Sequence, residues 1–475
     1  MPPTRWIVHR SAVVVRFAIG AACLTSCGGD GAAGTAGPPA PVAVVTVTSP
    51  APTIGVGESV TLQAVAKDAA GNALANRVIT WTSSNATVAS ITTAGVVTGV
   101  SQGDATATAA SEGKSASVAV QVRPRTEIGR ILDSIRVAYQ LPALAGAIVT
   151  RNGTDALGAT GVRRAGGSVA VTVNDQFHLG SMLKSMTAGL IGVLVDQKKL
   201  QWNTTLALAF PELATTMRSE YRDVTLRDLL SQQSGLPRDP TVTFSDATPT
   251  AQRESLARWA LVQPPVSARG TFFYSNINYM IAGVMAERAT GTAYEQLLVS
   301  ALLGPLGLTT VGFGAAGTPG QEDQPWQHWI DATGKLVAVA PSPTADNPPV
   351  YGPAGRAHMS VGDWAIWIRT VLRAQVGDAT PWTAETAKLL TTPAVPIAGA
   401  DSYAMGWVTT SRSWAAPTGR VLTHDGTNTM NYAVAWLAAD AGFGVIVVTN
   451  QGGSAAATAC DVAAGRLITL YLRGP

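Results

Sequence analysis

The chain has 475 residues, of which 46% are hydrophobic and 13% are charged. This apolar fraction is sufficient for a large buried core, so a chain that is disordered throughout is excluded, and the length predicts two or three domains. The 33 basic and 30 acidic residues nearly balance and form no Lys/Arg runs, which excludes nucleic acid as a partner.

Residues 1–26 have the composition of an export signal. Arg5, Arg10 and Arg16 are accompanied by no acidic residue, and this basic part precedes the apolar stretch Phe17–Leu24. The stretch is far shorter than the ~20 residues that span a bilayer, and no later segment reaches that length without a charge or a Pro/Gly break. We therefore interpret the segment as a removable signal peptide.

The signal ends in the sequence LTSC at Leu24–Cys27, which resembles the lipoprotein box of bacteria, and residues 27–41 form a Gly/Ala/Pro-rich tether. The resemblance implies cleavage before Cys27 and attachment of lipid to its thiol. The exported protein would then be anchored by lipid to a membrane of the cell envelope, and Gly28 fits sorting to the outer membrane, with the protein facing the periplasm or the surface. An ordinary signal peptide with an incidental cysteine is the alternative.

Residues 42–123 form a region in which short runs of Val and Thr alternate with turn residues, a pattern typical of an all-β antiparallel sandwich. The runs are Val42–Thr48, Ser59–Lys67, Val78–Ser83, Val88–Thr92, Val96–Val100, Asp104–Ala110 and Ser115–Val122. The stretch Ile79–Ala109, with Trp81 as the expected core residue, resembles the bacterial Ig-like group 2 family. That resemblance implies a spacer or surface module without chemistry, and binding of carbohydrate or protein is the alternative to a passive stalk.

Residues 124–475 have the pattern of an α+β domain. The predicted elements are helix Ile128–Tyr139, strands Ala145–Arg151 and Ala156–Val162, and, after a long and mostly helical middle, strands Arg420–His424, Tyr432–Ala438 and Gly444–Thr449 and helix Ala455–Leu472. Because about 250 residues separate the two strand groups, we expect one antiparallel sheet completed by distant segments and flanked by helices, with a helical subdomain between them. After processing, Cys460 is the one cysteine with an unmodified side chain, which excludes an intrachain disulfide, and we expect it to be buried.

The sequence FHLGSMLK opens a predicted amphipathic helix that runs to about Gln197. Ser181 lies at the helix start, where free backbone N–H groups favour developing negative charge, and Lys184 lies one turn further along the same face. A serine hydroxyl becomes a nucleophile when a neighbouring base removes its proton, so this pair is a candidate nucleophile and base. Ser111 and Lys114 have the same spacing, but their strand context would not bring them together.

Two further motifs carry candidate site residues. Tyr274 and Asn276 precede a predicted helix, and a turn at this point can present a phenol and an amide side by side. The stretch HDGT begins at His424 at the end of a predicted strand; Gly426 permits close approach of a substrate, and the N–H of Thr427 is a candidate oxyanion donor. For either motif alone, a core tyrosine or a surface histidine is the ordinary alternative.

In this order and spacing, the S-x-x-K, Y-x-N and H-x-G motifs resemble those of the class C beta-lactamase-like serine hydrolases, a group that includes esterases and D-amino-acid peptidases. The resemblance covers roughly Ile128–Leu472 and includes LLSQQSGLP at Leu229–Pro237 and GPAGRAHMSVGDWAIWI at Gly352–Ile368. It implies a beta-lactamase/transpeptidase-like domain. The sequence shows neither metal-ligand spacing nor a phosphate-binding loop, so no cofactor and no metal are predicted.

The resemblance also implies a role for each site residue. Ser181 would be the nucleophile, Lys184 its proton-shuttling partner and Tyr274 the general base. The N–H groups of Ser181 and Thr427 would form the oxyanion hole, and Asn276 would bind substrate or orient Lys184. A phenol ordinarily titrates near pH ~10, and we expect the adjacent ammonium to lower the pKa of Tyr274.

The third motif departs from the beta-lactamases of this group, which have Lys-Thr-Gly or Lys-Ser-Gly where this chain has His424, Asp425 and Gly426. A neutral histidine offers no fixed positive charge for a substrate carboxylate, and we expect Asp425 to repel one. In the resembled group, His-x-Gly is commoner among esterases and peptidases. The sequence therefore favours an exported serine hydrolase for a small ester or amide or for cell-wall peptide, and disfavours an efficient beta-lactamase.

A different class of function stays open, namely a surface binding or adhesion protein whose hydrolase-like domain is catalytically silent. The Ig-like region and the unusual Asp425 motivate this alternative. The Trp-rich stretch Gln324–Trp329 and the Pro-rich stretch Ala340–Pro353 are predicted to roof the pocket, and ordinary packing of Trp326 and Trp329 is the alternative for the first of them.

Overall fold

The structure is a computed structural model that describes residues 40–48, 52–55, 59–100, 103–123, 127–378 and 381–473. The predicted signal peptide at 1–26, the lipidation site Cys27 and all but the last two residues of the tether at 27–41 lie outside the described residues. Their assignment stays a prediction.

The N-terminal region consists of short strands around a shared core. Its strands are β1 Val44–Val47, β2 Thr53–Gly55, β3 Ser59–Thr61, β4 Ala64–Lys67, β5 Thr80–Ser83, β6 Ala89–Ile91, β7 Val96–Gly99, β8 Gly103–Ser111 and β9 Lys114–Arg123. One sheet has the order β2-β9-β8-β5 and a second has the order β3-β7-β6, while β1 pairs with β4. Ile54, Val97 and Val120 are buried between the two larger sheets, and the half-buried Trp81 packs against this core.

Two details of this region differ from the predicted strands. The run Ser59–Lys67 is divided between β3 and β4, which belong to different sheets. The division falls at Leu62, whose side chain is buried in the core and whose N–H donates to the carbonyl of Gly95 at 2.8 Å. Strand β2, which the sequence did not predict, pairs with β9 in parallel, so the region is not wholly antiparallel.

The rest of the chain is built on one antiparallel sheet of eight strands in the order β11-β10-β22-β21-β20-β19-β18-β17. The strands from this part of the chain are β10 Ala143–Thr150, β11 Thr154–Gly161, β12 Gln176–His178, β13 Gly312–Phe313, β14 Gln327–Ile330, β15 Leu336–Val339, β16 Ala357–Ser360, β17 Val395–Ala398, β18 Asp401–Tyr403, β19 Val408–Ser411, β20 Arg420–Thr427, β21 Tyr432–Ala438 and β22 Phe443–Thr449. Strand β10 pairs with both β11 and β22. Distant segments thus complete one sheet as predicted, while β17 to β19 extend it beyond the prediction.

Helices cover both faces of this sheet. They are α1 Glu127–Ala138, α2 Leu183–Asp196, α3 Leu206–Ala209, α4 Ser219–Arg222, α5 Leu226–Leu230, α6 Pro249–Ala260, α7 Asn276–Thr290, α8 Tyr294–Leu298, α9 Gly352–Gly355, α10 Val361–Ala374, α11 Ala384–Thr391 and α12 Ser454–Leu472. Successive side chains of a strand alternate between faces. In β10, Ala145 and Val149 accordingly join the core that contains α2, while Leu144 and Ile148 join the core that contains α1 and α12.

Helix α2 is buried on all sides, because the residues from Leu183 to Leu194 are all buried. The prediction of an amphipathic helix was therefore wrong. Small residues allow neighbouring rings to approach the helix closely: a Cβ at Gly189 would lie 2.7 Å from the ring of Trp367. The helix therefore runs through the core between the sheet and the helical subdomain. Close packing on every side holds the first turn of α2 rigidly.

Helix α12 is long and apolar enough to cross a membrane by length and composition, but Asp461, Gly465 and Arg466 interrupt its apolar run, in line with the sequence analysis. Its small apolar side chains pack on the sheet, and Ala456, Cys460, Ala463 and Leu467 lie in the same core as α1. This packing is that of a core helix in a globular protein. Cys460 is buried, as predicted.

Candidate active site

Ser181 lies in a 3-10 turn, Gly180–Met182, that leads directly into α2. Gly180 has a φ of +52°, a left-handed conformation that glycine adopts readily. A Cβ at Gly180 would overlap the backbone N of Thr427, and a Cβ at Gly426 would lie 2.7 Å from the N of Ser181. Two glycines therefore allow the end of β20 to touch the nucleophile turn, which brings the predicted first and third motifs together.

Lys184 is fully buried and makes three short contacts through its Nζ. It donates to Ser181 Oγ at 2.8 Å, to Asn276 Oδ1 at 2.7 Å and to the carbonyl of Ala354 at 2.6 Å. Burial lowers the pKa of Lys184 to about 7, and the nearby Asp239 opposes that shift. A substantial fraction of this amine is therefore neutral near pH 7, and a neutral amine can accept the proton of Ser181.

The other S-x-x-K match has no such geometry. Ser111 and Lys114 are paired across the β8–β9 hairpin, and Lys114 is exposed. The expectation that strand context would keep these two residues apart was wrong, because the hairpin makes them cross-strand neighbours. What distinguishes the two copies is that Lys184 is buried and Lys114 is exposed.

Tyr274 lies beside Lys184, whose Nζ is 5.1 Å from the centroid of the Tyr274 ring. Burial raises the pKa of Tyr274 well above its ordinary value, the neighbouring Tyr403 adds to that rise, and a hydrogen bond with Ser181 offsets it only in part. The expectation that the lysine would lower this pKa was wrong, because removal of water from the phenol outweighs a lysine that is itself easily neutralised. Tyr274 is a protonated phenol in the resting site.

Asn276 is the first residue of α7, and both ends of its side chain amide are engaged. Its Oδ1 accepts from Lys184, and its Nδ2 donates to Asp239 Oδ1 at 2.7 Å. Tyr351 Oη donates to the same carboxylate oxygen at 3.2 Å. Of the two roles left open by the sequence, the geometry favours orientation of Lys184, and Asp239 is a site residue that the sequence analysis missed.

His424 is buried in β20 and forms two hydrogen bonds. Its Nδ1 lies 2.5 Å from the carbonyl oxygen of Asp425, and its Nε2 lies 3.2 Å from Tyr403 Oη. Because a carbonyl only accepts, Nδ1 carries the proton and Nε2 accepts from Tyr403. Burial also lowers the pKa of His424. The imidazole is therefore neutral and supplies no fixed positive charge, as the sequence analysis expected.

Asp425 lies on the other face of the sheet. Tyr432 Oη donates to its Oδ2 at 3.3 Å, and Tyr432 packs against the core that contains α1 and α12. Successive strand residues alternate, so His424 and Asp425 point to opposite faces. The expectation that Asp425 would repel a substrate carboxylate in the cleft does not fit this placement.

Ser181 opens into a cleft of about 540 Å³. Its lining mixes polar and apolar side chains. The polar lining residues include the charged Arg238 and Asp239, with Asn276, Thr427 and Asn428 near the nucleophile; the apolar lining residues include Pro240, Val242, Phe244, Pro348 and Val350. A separate cavity of about 590 Å³ between α1 and α12 contains none of the predicted site residues. The cleft is therefore the place where a substrate carbonyl can reach Ser181.

The two predicted roof segments behave differently. Asn347 and Tyr351, from the Pro-rich stretch, line the cleft. Trp326 instead donates through Nε1 to the carbonyl of Gln321 at 2.9 Å, and Trp329 lies exposed on the β14–β15 hairpin. Ordinary packing is thus the better account of the Trp-rich stretch. Within the described residues, no group of three His, Cys, Asp or Glu side chains could hold a metal ion.

Comparison with known proteins gives matches for both regions of the chain. The model of the Beta-lactamase family matches residues 128–467, and that of the bacterial Ig-like domain (group 2) matches residues 41–122. An unguisins hydrolase of Aspergillus campestris is 25% identical over 252 residues, which are 50% of this chain and 46% of that protein. Penicillin-binding protein 4 of Amycolatopsis lactamdurans is 32% identical over 178 residues, which are 37% and 46% of the two chains. The chain spans about half the length of these curated relatives.

Two solved structures share the fold. The octameric penicillin-binding protein homologue from Pyrococcus abyssi superposes with a TM-score of 0.61 at 20% identity, covering 72% of this chain and 77% of that one. SurE superposes with a TM-score of 0.59 at 21% identity, covering 72% and 75%. Both likenesses concern the architecture of the larger region.

Proposed function

The chain belongs to the beta-lactamase family, and from that premise we propose that it is a serine hydrolase that cleaves an ester or an amide through an acyl-enzyme on Ser181. One observation carries the proposal. Lys184 Nζ lies 2.8 Å from Ser181 Oγ, and burial brings the pKa of this lysine to about 7, where an amine can act as a base under neutral conditions.

In the proposed acylation step, neutral Lys184 takes the proton of Ser181 Oγ as that oxygen forms a bond to the substrate carbonyl carbon. Tyr274 then donates its phenolic proton to the leaving oxygen or nitrogen as the bond to the leaving group breaks, and the Lys184 ammonium returns a proton to the phenolate. Tyr274 thus acts first as an acid, which fits its raised pKa. Water releases the acyl group through the reverse sequence of proton transfers.

The negative charge on the carbonyl oxygen needs donors in a fixed position. We assign the N–H groups of Ser181 and Thr427 to that role, because both residues line the cleft and Thr427 N lies directly against Gly180. Removing one such donor typically costs ~10²–10³ in turnover.

The third motif offers no lysine for a substrate carboxylate, because neutral His424 stands in place of the cation of Lys-Thr-Gly. The cleft lining is mixed: Arg238 and Asp239 carry opposite charges, and apolar side chains such as Val242 and Phe244 suit an apolar acyl or leaving group. We therefore propose a small ester, an amide or a cell-wall peptide as substrate, and esterase- or peptidase-like activity above efficient beta-lactam turnover. The relatives named as an unguisins hydrolase and a penicillin-binding protein fit amide chemistry.

A fluorophosphonate probe tests the nucleophile, because it forms a bond only with an activated serine. We expect labelling of the wild type and none of Ser181→Ala. Ser111→Ala is the matched control, since it removes the serine of the second S-x-x-K match and should label like the wild type. Equal labelling of wild type and Ser181→Ala would refute the assignment.

The alternative of a catalytically silent surface protein loses one motivation, because Asp425 faces away from the cleft. A panel of short-chain esters, nitrocefin and D-alanyl peptides separates the remaining possibilities. Turnover that depends on both Ser181 and Tyr274 would dismiss the silent-domain alternative and would name the preferred leaving group.

We also propose that the protein is exported and lipid-anchored through Cys27. The support is the sequence alone, namely the basic and apolar signal, the LTSC box and the Gly/Ala/Pro-rich tether. Metabolic labelling with a fatty acid should mark the wild type and leave Cys27→Ala unlabelled and soluble. Equal partition of both proteins to the membrane would contradict the anchor.

A further inference from the structure

A buried polar cluster lies directly beneath the nucleophile turn. His178 ends β12, and its Nδ1 accepts from the N–H of Gly180 at 3.1 Å. Because Nδ1 accepts, the proton of a neutral imidazole lies on Nε2. That Nε2 lies 3.0 Å from Asp346 Oδ2 and donates to the carboxylate.

Asp346 connects this histidine to the end of β20. Its Oδ1 accepts from Asn428 Nδ2 at 2.9 Å and from the N–H of Asn347 at 2.7 Å. The carboxyl is fully buried, with Arg356 Nε 3.8 Å from Oδ2. Burial alone would raise the pKa of Asp346, but His178 and the hydrogen bonds outweigh it, and the pKa lies below its ordinary value. The group is therefore an ionised acceptor that holds several donors at once.

Asn428 is itself held in one orientation. Its Nδ2 also donates to Gln327 Oε1 at 2.6 Å, and its Oδ1 accepts from Asn431 Nδ2 at 3.1 Å. All three side chains are buried. Fixing Asn428 holds the Thr427–Asn428 peptide group, and because that group is joined through the Thr427 Cα to the Gly426–Thr427 peptide group, it also restricts the group that carries the Thr427 N–H.

We propose that Asp346 positions both amides of the oxyanion hole, the one at Ser181 through His178 and Gly180, and the one at Thr427 through Asn428. This inference rests on the proposed serine hydrolase function. It explains why a carboxylate is buried at this point: the two amides come from segments far apart in sequence, and their spacing decides how well they stabilise an oxyanion. Asp346 and His178 are positioning residues and do not touch the substrate.

The test substitution is Asp346→Asn in the full-length protein, because the amide keeps the size of the carboxyl but cannot accept from His178, Asn428 and Asn347 together. We expect kcat for a short-chain ester to fall by about tenfold to a hundredfold while KM stays within about twofold, since only the charged transition state needs both donors. The affinity for an aryl boronic acid, which forms a tetrahedral adduct on the serine, should fall in parallel.

Asp363→Asn is the matched control. Asp363 is another buried carboxylate, and its Oδ2 accepts from the N–H groups of Thr309 and Thr310, each at 2.6 Å, away from the cleft residues. We expect this variant to lose thermal stability with an unchanged kcat. An equal loss of kcat in both variants would overturn the inference, because it would show a general effect of weakened packing.

Two further outcomes decide the matter. If Asp346→Asn does not fold, Asn428→Ala removes the link to β20 alone and should show the same fall in kcat and boronate affinity at constant KM. If the variant that folds has the same kcat and the same boronate affinity as the wild type, the inference is overturned. A wild type without Ser181-dependent turnover would instead refute the proposed function, so the two failures are distinguishable.

Discussion

At the scale of single residues, the spacing of Ser181 and Lys184 was enough to predict their contact, because residues three apart on a helix share a face. The pKa of Tyr274 could not be predicted in this way. It depends on burial and on Tyr403, a neighbour from a distant part of the chain. Asp239 and Asp346 were missed for the same reason, since each acts through partners that lie far away in sequence.

The titration of Lys184 leads to a prediction for the pH dependence. Burial lowers the pKa of this lysine to about 7, and only the neutral amine accepts the serine proton, so kcat/KM should rise as the pH rises through about 7 and then level off. A pH–rate profile with a neutral ester checks this. Lys184→Arg, which stays protonated, should be inactive across the pH range. If kcat/KM of the wild type instead began to rise only above pH ~10, the base would be Tyr274.

The raised pKa of Tyr274 predicts a dependence on the leaving group. Tyr274→Phe should lower kcat for an alkyl ester or an amide by about 10²–10³, because the leaving group then lacks a proton donor. A p-nitrophenyl ester should lose much less, since p-nitrophenolate leaves without a proton. Tyr432→Phe, which alters a hydroxyl on the opposite face of the sheet, is the control, and equal losses for both leaving groups would contradict the acid role.

At the scale of elements, the strands and helices with clear periodicity were predicted to within a few residues, as for α1 and β21. Strands β17 to β19 were missed because they are short and interrupted by turns, and only their successive pairing outward from β20 defines them. Helix α2 was taken as amphipathic because its apolar side chains could be assigned to one face. Its small residues, among them Gly189, admit neighbouring rings on the other side.

The contact between β20 and the nucleophile turn predicts the effect of a single methyl group. Gly426→Ala should push the strand from the turn, because its Cβ would lie 2.7 Å from Ser181 N, and should lower kcat with little change in KM. Gly465→Ala is the control: it lies within α12 with open space around it, and alanine there should stabilise the fold by up to ~1 kcal/mol. Steady-state kinetics and thermal melts report both effects, and a fully active Gly426→Ala would show that the contact is not needed.

At the scale of the whole molecule, the family matches confirm the predicted resemblance to a beta-lactamase-like domain preceded by an Ig-like domain. The solved structures confirm the fold class of the larger region. The order of motifs carried this prediction, because three short signatures at the right separations are far more specific together than alone. The substrate was not predictable to the same depth, since it depends on cleft loops whose arrangement is set by tertiary contacts.

The two regions have separate cores, which leads to a prediction about truncation. The residues that line the cleft all lie beyond residue 180, and the buried clusters of the Ig-like region contain no residue beyond Val122. A chain that begins at residue 124 should therefore hydrolyse a small soluble ester with kcat and KM within about twofold of the intact chain. A large loss of kcat in a truncated protein that melts cooperatively would show that the Ig-like region shapes the site.

The pairing of β10 with β22 has a consequence for biosynthesis. These neighbours join residues from opposite ends of the domain: Thr449 Oγ1 donates to the carbonyl of Ala143 across a separation of 306 residues. Contacts of such high contact order form late, because a long loop must close first. Until the last fifth of the polypeptide has emerged, β10 presents an unpaired apolar edge that invites aggregation. A chain that terminates before β22 should therefore be degraded by proteases or aggregate in inclusion bodies, and it should have no enzymatic activity.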